Sequence, residues 1–157
     1  MESVYQKVKE FKRRYPMTVA WRLRKNANIV ERHLNDDEYV TYAFAAQKNN
    51  NPFNILATAV VAVTNKRLLI GRDRVVIGYF LDSITPDLFN DLKIKSGVLW
   101  GKIYIDTVKE FVALSNIDKG ALAEIETKVT GFMMEEKCKY DHSHSHSVDR
   151  KTKEKRV

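Results

Sequence analysis

Residues 55–80, ILATAVVAVTNKRLLIGRDRVVIGYF, decide the fold. Ile55–Val63 is almost wholly apolar and rich in β-branched side chains. Thr64-Asn65-Lys66-Arg67 interrupts the run, Leu68–Ile70 resumes it, Gly71–Arg74 interrupts it again, and Val75–Phe80 closes it. Apolar runs this short, split by polar turn residues, predict successive antiparallel strands rather than helices.

Outward from that centre the same grammar continues. Upstream, Tyr39–Gln47 mixes aromatic, β-branched and small residues and predicts the first strand, followed by a loop over Lys48–Asn54. Downstream, Leu81–Pro86 breaks the pattern and Leu88–Lys95 alternates in part before a Ser96-Gly97 turn. Leu99–Thr107 alternates clearly, with Ile103 and Ile105 on one face and Lys102, Tyr104 and Asp106 on the other. Val108-Lys109 makes a tight connection, and Glu110–Leu114 supplies a seventh strand.

Helices flank the strands. Val4, Val8, Phe11 and Tyr15 recur at helical spacing, with Pro16 as the boundary. Leu23, Ala27, Val30 and Leu34 predict a second helix over 18–34, to which Trp21 adds a large apolar body. Asp118 is a good N-cap for a last helix whose apolar stripe is Leu122, Ile125, Val129 and Phe132, flanked by Ala121 and Met133. That helix is expected to end near Met134, leaving a polar, mobile tail. The expected divisions are a helical extension over 1–35, a β domain over 36–134 and a basic tail over 135–157. The fold class is mainly β with α. Seven antiparallel strands form two near-orthogonal sheets, or a partly open barrel, and a C-terminal helix plugs the open end.

The order of these elements, with VTNKRLLI, GVLWGKIYIDT and SNIDKGALAEIETKV, resembles bacterial pleckstrin-homology (PH) domains of the YokE-like type. The resemblance covers about residues 38–134. It implies the PH fold and a role in binding or assembly rather than catalysis. Relatives of that fold often hold phosphoinositide head groups with Lys and Arg on the first two strands and the loop between them. Here that loop carries only Lys48, and Ile55–Val63 has no basic residue, so a multiply charged phosphate lacks the donors it needs. No phosphoinositide partner is expected.

Composition narrows function further. Cys138 is the only cysteine, which excludes an intramolecular disulfide and suits a reducing, cytoplasmic setting. The opening residues hold no apolar core of signal-peptide length, and Ile55–Val63 is too short for a membrane helix. The formal charge of +7 is spread along the chain rather than gathered in one block. Lys7, Lys9, Lys12, Arg13 and Arg14 on the first helix, with Arg150 and Lys151 in the tail, are the candidate contacts for an anionic membrane surface or nucleic acid. The more economical reading of each is a solvated surface. His142, His144 and His146 are the candidate metal ligands, since an extended chain would align their imidazoles. They lack the ligand pairs on folded elements that structural zinc sites use, so no native metal or cofactor is expected. Gly97 and Gly101 lack the spacing of a phosphate loop and read as turn glycines. No nucleophile motif or paired base stands out, and an enzyme with a cleft at the barrel's open end is the least favoured alternative. The leading expectation is a non-catalytic interaction module binding a protein partner or itself.

Overall fold

The computed structural model describes residues 1–49, 56–74 and 76–154, with side chains described throughout these except at 140 and 143–154. Among the described residues seven strands form one antiparallel sheet. They are β1 (Val40–Gln47), β2 (Thr58–Thr64), β3 (Leu68–Asp73), β4 (Tyr79–Ile84), β5 (Phe89–Ser96), β6 (Trp100–Thr107) and β7 (Phe111–Asp118). Their order is β4-β3-β2-β1-β7-β6-β5, curled into a half-barrel. The helices are α1 (Val4–Arg14), α2 (Leu23–Arg32) and α3 (Leu122–Glu154). No helix among the described residues is long and apolar enough to cross a membrane.

Side-chain alternation sorts the sheet into an inner and an outer face. Tyr42, Phe44 and Ala46 of β1 join Val61, Val63, Leu68 and Ile70 in the inner core, which also takes in Ile103, Ile105 and Leu114. Ala43, Ala45, Val60, Ala62 and Leu69 point the other way and pack under α1 and α2 with Val4, Val8, Ala27 and Val30. Strands covered on both faces can be apolar at every position, which is why residues 58–63 do not alternate. α3 stoppers the inner core with Leu122, Ile125, Val129 and Met133, as its stripe predicts, and Phe132 packs partly buried beside them.

The two halves of the sheet, β4-β3-β2-β1 and β7-β6-β5, meet at one registered pair, Gln47↔Ser115. α1 belongs to both cores, Phe11 to the inner and Val4 and Val8 to the outer, and so sits at that seam. Ser3 and Gln6 start it with a reciprocal capping box. The segment after it is stitched to β7: Val19 N donates to Asn116 O at 2.9 Å, Asp118 N to Thr18 Oγ1 at 3.0 Å, and Met17 N to Asp118 Oδ2 at 3.3 Å.

That stitching corrects the expected start of the second helix. Residues 18–22 are not helical, because Val19 N is taken by Asn116 O and Trp21 N by Thr58 Oγ1. Trp21 lies outside α2 and is 54% exposed. β4 also lies later than expected. Val76 and Ile77 sit exposed in a turn closed by Arg74 N on Gly78 O, and Gly78 has φ +86°, a left-handed conformation that glycine adopts at little cost. Val75, Ile55 and most of the expected 48–54 loop lie outside the described residues. The last helix does not end near Met134 but continues to Glu154. A polar stretch without proline is no stop signal, and Lys139 bridges Glu135 and Glu136 a turn away. Gly101 is not a turn glycine either. It lies within β6, where a Cβ would overlap the Leu122 side chain, so its bareness lets α3 seat on the sheet.

Candidate interaction surface

The Thr64-Asn65-Lys66-Arg67 motif is consumed by the fold. Thr64 Oγ1 donates to Glu38 Oε1 at 2.7 Å and accepts from the amides of Lys66 and Arg67. Asn65 bridges Tyr39 N and Asp37 O, and Lys66 pairs with Asp37. Arg67 places Nε and Nη2 on the two Glu38 oxygens at 2.9 and 3.0 Å, a bidentate fork, and Nη2 also donates to His33 O. Burial alone raises the Glu38 carboxyl, but the hydrogen bonds from Arg67 and Thr64 outweigh it and hold the group below the ordinary glutamate range. The motif therefore clamps the turn before β1 to the β2–β3 turn.

The candidate anion contacts divide. Lys7 pairs with Glu2 at 3.1 Å, and Arg14 donates to Glu124 at 2.6 Å. Lys12 donates to the carbonyls of Pro16 and Thr18, closing the end of α1, and burial lowers its ammonium with Asp118 partly opposing. Lys9 and Arg13 are exposed. The side chains of Arg150, Lys151, His144 and His146 lie outside the described residues. His142 is exposed, and on a helix of 3.6 residues per turn the three histidine positions no longer fall on one side. No cluster of metal-ligating side chains occurs among the described residues. Lys48, the one basic residue of the expected phosphate loop, pairs with Asp82. His33 donates from Nδ1 to Ile29 O, which leaves Nε2 to accept from Tyr79 OH.

Two clefts have the chemistry of a reaction site to answer for. The larger, about 770 Å³, lies between Asn65, Lys66, Pro86, Asp87 and the α3 residues Glu136, Lys137 and Asp141. Its described lining has no serine, cysteine or histidine, and Lys137 is spent on Phe89 O. The smaller, about 180 Å³, holds Tyr42, whose hydroxyl donates to Glu124 Oε2 at 2.9 Å. Burial first, then the Glu124 hydrogen bond, pushes that hydroxyl far above the usual phenol range. A phenol so hard to ionise, facing a carboxylate already tied to Arg14, is a strut rather than an acid–base pair.

A further exposed surface is the outer face of β5-β6-β7. Register and alternation place three ranks across it. Asp91, Asp106 and Phe111 form the first, Lys93, Tyr104 and Ala113 the second, and Lys95 with Lys102 the third. Phe111 is 60% exposed and stacks on Tyr104, with centroids 5.5 Å apart and planes at 23°. Beyond the third rank the β5–β6 turn shows Val98 and Leu99, and beyond the first the β6–β7 turn shows Val108. The alternation of β6 reveals the outward side of Lys102, Tyr104 and Asp106. Phe111 escapes a reading of the sequence because only strand register brings it beside Tyr104. The signal available was an aromatic on the polar side of an alternating strand.

Comparison with curated proteins and with solved structures gives no significant match. The description "Bacterial PH domain" fits residues 34–130, a span that opens just before the Glu38–Arg67 clamp, takes in all seven strands and closes on the plug formed by α3. A match over more than half of the chain, on these elements, makes this protein a member of the bacterial PH domain family.

Proposed function

We propose that the chain is a non-catalytic, cytoplasmic PH-like module that binds protein through the outer face of β5-β6-β7. The carrying observation is Phe111, a large aromatic 60% exposed on a regular strand and stacked on Tyr104. Exposed aromatic pairs with a charged surround are characteristic of protein-binding hot spots. PH-like domains generally serve protein or lipid interaction, which sets the coarse class. α1 and α2 cover β1–β3 with their apolar stripes, so they add no argument for a partner.

A photo-crosslinking residue at position 111 in living cells tests this reading. Discrete protein adducts are expected. Adducts confined to lipid or nucleic acid, or none at 111 or 104 while exposed position 77, off this face, reacts, would overturn it.

A further inference from the structure

On the outer face of β5-β6-β7 like charges stand opposite one another. Asp91 stands directly across from Asp106, and Lys95 directly across from Lys102. Like charges on facing cross-strand positions destabilise a sheet, and exchanging one member of each pair would convert both into attractions. The charges are instead segregated by rank. From one end to the other the face runs apolar (Val98, Leu99), basic (Lys95, Lys102), mixed (Lys93 beside Tyr104), acidic (Asp91 and Asp106, with Phe111), apolar (Val108).

Such an order is complementary to its own reverse. A two-fold axis lying across the strands at the Tyr104 rank sets β5 against β5 of another molecule with direction inverted. Same-face residues two apart along a strand are about 7 Å apart, so the inversion carries each charged rank onto the rank of opposite sign. Asp91 then meets Lys95 of the other copy, Asp106 meets Lys102, Tyr104 meets Tyr104, and Val98 approaches Val108. Lys93, on the axis, meets Lys93 as the single like-charge contact against four opposite-charge ones. Every like-charge pair of the isolated sheet gains two opposite charges.

We infer that the occupant of this face is a second copy of the chain, docked face to face about that axis. This rests on the reading that the face binds protein, and names its partner. Tyr104 at the axis, with Phe111 stacked on it from the next rank, supplies the apolar contact, and the outer ranks fix orientation and exclude the parallel arrangement, in which like charges would meet.

Sedimentation equilibrium of the full chain from about 10 to 500 μM tests it, a span suited to affinities in the micromolar range. The wild type is expected to dimerise, more weakly as salt is raised. Lys95→Glu and Asp91→Lys are each expected to lose at least tenfold in self-affinity. An equimolar mixture of the two is expected to recover a heterodimer. The carboxylate introduced at position 95 of one chain then faces the ammonium introduced at position 91 of the other, while the remaining native contacts persist. Lys95→Glu also gains an opposite charge facing Lys102, so its thermal midpoint should stay at or above the wild type. That separates lost association from lost folding. A wild type monomeric throughout, variants that associate like the wild type, or a mixture that stays monomeric would each overturn the inference. Protein crosslinks at position 111 to something other than this chain, in a monomeric wild type, would overturn it while leaving the protein-binding reading intact.

Discussion

Strands β1–β3 and strands β5–β7 belong to one sheet and obey different rules. The first three are buried on both faces, between the inner core on one side and α1 and α2 on the other. The last three are buried on one over most of their length, β7 being enclosed on both only at residues 114–117, beside residues 17–19. The difference shows in what each tolerates: β2 carries no charged residue, whereas the outer face of β5 and β6 carries two facing pairs of like charge. Where a sheet is enclosed, packing dictates every position. Where it is open, positions are released for another use, and the charge order is evidence of that use.

The sharpest way to break the comparison is to make one change in both places. Phe11→Ala, at the seam of the enclosed half, removes a fully buried ring in contact with Tyr42 and Phe44 and should cost about 3–5 kcal/mol. Phe111→Ala in the open half loses only its stacked contact and should cost no more than about 1.5 kcal/mol. Urea unfolding of the two variants measures both, and equal losses would erase the distinction. Next in size is Gly71→Ala on β3. A Cβ there would come within 2.7 Å of Val30 Cγ2 and 3.1 Å of the Asn26 carbonyl, so α2 must lift, at about 1–3 kcal/mol. Amide exchange should then rise over residues 23–32 and stay unchanged over 100–107.

The smallest effect is an acid one, and it belongs to the enclosed half and the seam. Glu38 and Glu124 are both held below the ordinary glutamate range. In each case burial is the larger single influence and opposes the shift, while hydrogen bonds overcome it: Arg67 and Thr64 for Glu38, Arg14 and Tyr42 for Glu124. A depressed carboxyl stabilises the fold fully above its unfolded-state value and loses that contribution as pH falls through its folded value. Urea midpoints should therefore be flat near neutrality and fall once pH drops below the ordinary glutamate range, and Glu38→Gln should flatten much of that fall.

How legible these features were depended on how local their causes are. The stripe of α1, the enclosed run of β2 and the alternation of β6 are written in neighbouring residues and read off directly. β4 was misplaced because hydropathy cannot see an edge. Asp82 and Ser83 are polar yet sit in the strand, held by Lys48 and Arg67 from elsewhere in the chain, while apolar Val76 and Ile77 lie in the turn. The start of α2 depended on Asn116, nearly a hundred residues on, claiming an amide. The candidate surface was half visible for the same reason: β6 displayed its outward residues, but nothing local placed Asp91, Lys95 and Phe111 beside them.

The bonds joining residues 17–19 to residues 116–118 also order events during synthesis. The ribosome releases the amino-terminal helix first, yet the groups that hold its following segment are made some hundred residues later. Until β7 has emerged, Val4, Val8 and Phe11 have only part of their eventual housing, so closure of this domain waits on translation of its final third.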